Sequence, residues 1–103
     1  MTDNERFIHI GELWSRERGT DEWFASLEYD AVENSFVINE YHSPGMYAQH
    51  PPSSHRIPAE SDIGQGKAYQ TKAAELIEGY LASNPTAVLR EKIEAALAKV
   101  MAL

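Results

Sequence analysis

The chain has 103 residues, 43% of them apolar and 24% charged, with no cysteine and a formal net charge of −7. That length supports one hydrophobic core and not two. The lack of thiols excludes disulfide stapling, thiolate catalysis and Cys-type zinc sites. The opening Met1–Arg6 is polar and acidic, and the longest apolar runs are a few residues long. Neither a secretory leader nor a membrane span is therefore expected, and the chain reads as a cytoplasmic protein.

The charge is unevenly placed. Residues 1–42 carry ten acids and three bases, while residues 43–103 carry six of each. Such a bias is ordinarily a solubilising surface. The sharper expectation is an acidic face that meets a basic partner.

Residues 6–42 read as strands. Phe7–Trp14 begins with β-forming residues, and the charged stretch 16–22, with its glycine, reads as a loop or hairpin turn. In 23–29, Trp23, Ala25, Leu27 and Tyr29 alternate with Phe24, Ser26 and Glu28, the period of a half-buried strand. Residues 30–34 read as a hairpin loop, with Asp30 suited to open it and Asn34 able to turn left-handed. In 35–41, Phe36 and Ile38 are assigned to the core and Val37, Asn39 and Tyr41 to the outside. Consecutive strands with short links make an antiparallel meander.

Residues 43–66 read as one long loop. Pro44, Pro51, Pro52 and Pro58 interrupt it, along with Gly45, Gly64 and Gly66, and prolines remove donors and fix φ. From 67 to 83, Tyr69, Ala73, Leu76, Ile77, Tyr80 and Leu81 form the stripe of an amphipathic helix. Asn84 and Pro85 read as the cap and first residue of a second helix. Its stripe is Leu89, Ile93, Ala96, Leu97 and Val100, with Arg90 and Glu94 paired on the polar side. The predicted architecture is α+β: an antiparallel sheet of about three strands, a long loop, and two C-terminal helices packed on one sheet face.

Chemistry-bearing groups are few. His42, His50 and His55 fall within a short irregular stretch followed by Glu60 and Asp62, but their spacing matches no zinc pattern and HExxH is absent. Surface polar residues of a long loop are the plainer reading. A glycine-containing stretch, 62–67, precedes the first helix and ends on Lys67. Ser61 and Ala68 stand where a phosphate-binding loop requires Gly and Ser or Thr. Ser53, Ser54 and His55 bring nucleophile and base types together, without the strand-turn-helix context that a nucleophilic serine needs. Glu12, Glu28 and Glu40 lie mid-strand, where most glutamates simply face water. Lys and Arg do not cluster enough for direct nucleic-acid binding. No stretch carries a family signature.

The remaining signal is large rings beside acids. If Trp23 and Leu27 face inward, Phe24 faces outward, with Trp14, Val37 and Tyr41 assigned to join it. Apolar patches rimmed by charge mark protein contacts, and aromatics anchor them. The sequence therefore leads us to expect a small acidic, non-enzymatic protein-binding module that needs no cofactor. It would neutralise another protein, as immunity proteins, antitoxins and phage anti-defence proteins do. The partner would present a basic surface, such as that of a nucleic-acid-binding protein. The expected contacts are Glu12, Trp14, Asp21, Glu22, Phe24, Glu28, Asn39 and Tyr41. The alternative is a small enzyme or metal- or ligand-binding domain using His42, His50 and His55. A third reading is a homodimer, because Val100, Met101 and Leu103 make the chain end apolar and chain ends usually fray.

Overall fold

A computed structural model describes residues 3–45, 51–59 and 67–102. A single helical turn, α1 (Asp3–Arg6), leads into four strands: β1 (Phe7–Arg18), β2 (Asp21–Asp30), β3 (Ser35–Ser43) and β4 (Ser53–Pro58). Helices α2 (Lys67–Leu81) and α3 (Ala87–Met101) follow. The strands form one antiparallel sheet in the order β1-β2-β3-β4. The fold is α+β, as the order of periodicities predicts, with four strands in the sheet.

The fourth strand lies inside the stretch read as a loop. Its prolines are compatible with pairing because β4 is an edge strand. Pro51 and Pro52 precede it and Pro58 ends it, positions where a missing donor breaks no interior ladder. Ile57 opposite Ile38 continues the core row onto the edge. The charged stretch 16–22 is also mostly strand. Only Gly19 and Thr20 turn the chain, Gly19 at φ 64°.

The inner face of the sheet and the two helices share one core. Ala25, Leu27 and Tyr29 of β2 and Phe36 and Ile38 of β3 are buried against Ala73, Ile77, Ile93, Ala96 and Val100. Tyr29 and Phe36 meet edge to face, with ring centroids 5.6 Å apart. Complete burial of a Leu or Ile side chain stabilises by about 1.5–3 kcal/mol each.

β1 reaches the same core by a less regular route. Two register shifts place Gly11 opposite Leu27 and Trp14 opposite Ala25, with Ile10 and Leu13 as the additional residues. Each bulge resets the alternation. Ile8, Ile10, Leu13 and Trp14 thus all pack on the core despite their irregular spacing. At Gly11 the chain passes so close to α2 that a Cβ would lie 2.6 Å from the Leu76 side chain.

The helices terminate on each other. Gln70 Nε2 donates to the carbonyls of Val100 and Met101 at 2.9 and 3.1 Å, and Arg90 donates to the carbonyl of Leu81. Orphan C-terminal carbonyls are satisfied in both cases. The second helix is capped by Thr86, whose hydroxyl accepts from the Leu89 amide at 3.3 Å. Asn84 sits two residues earlier at φ 60°, in the link between the helices, so the expected Asn84–Pro85 cap is displaced to Thr86. Val100 is buried in this core, whereas Met101 is 53% exposed; Leu103 lies outside the described residues. Among the described residues no helix is long and apolar enough to cross a membrane.

Candidate functional site

Alternation along β2 and β3 sends every second side chain to the face opposite the helices. On that outer face Glu28 stands beside Val37, Ser26 beside Asn39, Phe24 beside Tyr41, and Glu22 beside Ser43. From β1 come Phe7, His9, Glu12, Ser15 and Glu17, and from β4 Arg56 and Ser54. The face divides into two halves with different electrostatics.

The half near Phe7 is closed by its own ion pairs. Arg56 Nε donates to Glu28 Oε1 at 2.8 Å. Arg6 grips Asp30 through two hydrogen bonds of 3.0 Å. Both guanidinium groups also lie over the Phe7 ring, Arg56 at 3.9 Å and Arg6 at 5.0 Å from its centroid. Asp30 accepts further bonds from the amides of Val32 and Glu33. The Arg6 hydrogen bond above all holds the Asp30 carboxyl below its ordinary range, against the opposing effect of burial. The Tyr29 phenol, on the other face, is pushed up by burial and by the charge of Asp30.

The half near the β1–β2 turn is open. Phe24 and Tyr41 stack with centroids 4.6 Å apart, and both are half-buried. Around them stand Glu12, Glu17 and Glu22, all exposed. Among the described residues no cation pairs with any of the three. Glu17 and Glu22 are direct cross-strand partners. Like charges placed opposite each other destabilise a sheet by a few tenths of a kcal/mol or more.

Of the expected contact residues, the structure brings Glu12, Glu22, Phe24, Asn39 and Tyr41 together on this half. Glu28 shares the face but is only 8% exposed, enclosed by Arg56. Trp14 is corrected to the opposite face, because the bulge at Leu13 turns it toward the core. Asp21 is likewise displaced: it stands opposite Arg18 at the turn, where its carboxylate accepts from the Gly45 amide. Glu17 and Ser15 were missed. Continuing the strand period through the charged stretch would have found both, since Glu17 stands opposite Glu22 and Ser15 opposite Phe24. Asn39 Oδ1 is buried without a hydrogen-bond partner among the described residues.

The histidines take a different place. His42 lies on the inner face, stacked on Trp23 at 4.7 Å with 3° between the ring planes. His55 pairs with Glu40 across the β3–β4 ladder at 3.1 Å. Among the described residues no three metal-ligating side chains gather. His50, Glu60, Asp62 and the glycines before α2 lie outside the described residues. No protein-family model, no curated protein and no solved structure matches the chain.

Proposed function

We propose that the chain is a small non-enzymatic binding module whose open outer half-face docks on a basic surface of another protein and neutralises it. The observation that carries this reading is the Glu17–Glu22 pair beside the Phe24–Tyr41 stack. Elsewhere on the same face acids are matched with arginines: Glu28 with Arg56 and Asp30 with Arg6. On the open half no cation among the described residues matches them, at a cost in stability that a partner's Lys or Arg would relieve. The stacked rings supply apolar contact area at the centre, and the acids form a rim that steers the encounter. A nucleic-acid-binding protein whose phosphate-binding surface is basic fits this charge pattern, and blocking that surface would inhibit it.

The test is capture of a partner with the intact chain, then titration of the purified pair at rising salt. Affinity is expected to fall steeply as salt rises, because exposed charges are screened. Glu22→Lys should weaken binding at low salt, and Phe24→Ala should weaken it at all salt concentrations. Affinity insensitive to both salt and Glu22→Lys would sink the reading.

A further inference from the structure

We propose that the tip of the β1–β2 hairpin, on the inner face, is a binding site for a phosphate dianion held by Arg16 and Arg18. Both arginines lie on the face opposite the docking half-face, and Glu17, on the strand between them, borders both. Arg16 and Arg18 are two residues apart on one strand, so their side chains leave the same face with Cα atoms roughly 7 Å apart. With Glu17 and Trp23 they line a cleft of about 350 Å³. Both arginines are exposed.

The chain has five arginines. Three of them hold carboxylates: Arg6 on Asp30, Arg56 on Glu28 and Arg90 near Glu94. Arg16 and Arg18 make no ion pair among the described residues, in a chain with 16 acids against 9 bases. Asp21 stands directly opposite Arg18, and its Oδ1 accepts from the Gly45 amide instead. With so many acids in the chain, two arginines on one strand face with no counterion among the described residues mark a place for an anion from outside.

The geometry selects what that anion carries. Trp23 stands between Arg16 and His42 in one cross-sheet row, with the guanidinium 5.0 Å from its ring centroid and the imidazole at 4.7 Å. Both neighbours already pack on the ring that a nucleobase would need. A guanidinium packed over an aromatic ring can still present its in-plane N–H fork, the arrangement suited to a phosphate oxygen pair. Arg18 adds a second fork. Glu17 borders the cleft with its side chain turned to the outer face. A compact dianion gripped at short range is favoured there over an extended polyanion, which would meet the acidic rim as well.

Inorganic phosphate and phenyl phosphate, titrated into the isotope-labelled chain, test this by NMR. Phosphate is expected to move the Trp23 indole N–H and the Arg16 and Arg18 Nε–H resonances along saturable curves. The Trp14 indole, packed on the core, should stay still as an internal control. Arg18→Ala should weaken binding about tenfold, the loss of one charge-assisted contact. Arg16→Lys should weaken it too, because an ammonium group has no fork. Tighter binding of phenyl phosphate would identify an organic monoester as the ligand, and equal binding free phosphate. The proposal is overturned if sodium chloride at matched ionic strength reproduces the shifts. It is equally overturned if they persist in an Arg16→Ala/Arg18→Ala variant whose remaining spectrum is native.

Discussion

Arg56 reaches from the edge strand β4 past β3 to Glu28 on β2, with Nε 2.8 Å from Oε1, and its guanidinium also lies over the Phe7 ring of β1. One side chain thereby ties all four strands on the face the helices do not cover. Glu28 is only 8% exposed beneath that contact. Arg56 itself remains about one-third exposed, with a side-chain accessibility of 32%, which moderates the strength of the pair.

Arg56→Ala is therefore expected to destabilise the chain by about 1–3 kcal/mol, the value of a charge-assisted bond whose loss strands a buried acceptor. Glu28→Gln, which keeps an acceptor and removes the stranded charge, should cost less. Urea midpoints of the two variants decide the matter. Arg56→Ala behaving like the parent chain would show that the bond is not maintained in solution.

Asp30 gives the fold a signed dependence on pH. Its folded carboxyl titrates below its unfolded value, chiefly because of the Arg6 hydrogen bond. The resulting stabilisation is fully present above the unfolded pKa of about 3.9 and is lost as pH falls through the lower folded value. Asp30→Asn should lower stability by about 1–3 kcal/mol at neutral pH. The gap between parent and variant should stay constant from neutrality to mildly acidic pH, then close at lower pH. Urea melts across that range would show it. A gap that widened on acidification would contradict the assignment.

How far the sequence discloses this structure depends on whether a feature is local. The alternation of β2 is complete within seven residues, and Ala25, Leu27 and Tyr29 are buried as that period requires. Asn34 takes φ 53° in the turn where a left-handed residue is needed. β1 is different. Ile8, Ile10, Leu13 and Trp14 share no single parity, and only pairing with β2 reveals the two bulges that bring them to one side. β4 is hidden by its flanking prolines, since an edge strand needs few local signals once β3 offers a ladder. The candidate site follows the same rule. Phe24 and Tyr41 can be placed from the period alone. The enclosure of Glu28 cannot, because Arg56 lies 28 positions away in sequence.

The first bulge has a measurable consequence at Gly11. A methyl group added there would meet Leu76 Cδ2 at 2.6 Å, so Gly11→Ala should cost about 1–2 kcal/mol by overpacking. Leu76→Ala alone should cost about 2–3 kcal/mol by leaving a void. Together they should cost less than their sum, by about 0.5–1 kcal/mol, because each opens or fills the space of the other. Strict additivity in a double-mutant cycle would mean that β1 does not pass α2 at this point.

The second bulge separates two large rings by role. Trp14 faces the core opposite Ala25, while Phe24 stands on the open face, stacked on Tyr41. Trp14→Ala should destabilise by about 2–4 kcal/mol, since its ring fills space beside Leu13 and Ala25. Phe24→Ala removes an aromatic pair and should cost only about 0.5–1.5 kcal/mol. The order reverses for partner binding. Phe24 supplies contact area on the exposed side, so its truncation should weaken a complex while the fold persists. Trp14→Phe, which keeps most of the core volume, should leave that complex intact. Thermal melts and titration of both variants against a captured partner separate the two roles. If Trp14→Phe weakened binding as much as Phe24→Ala, the docking face would have to lie on the helix side of the sheet.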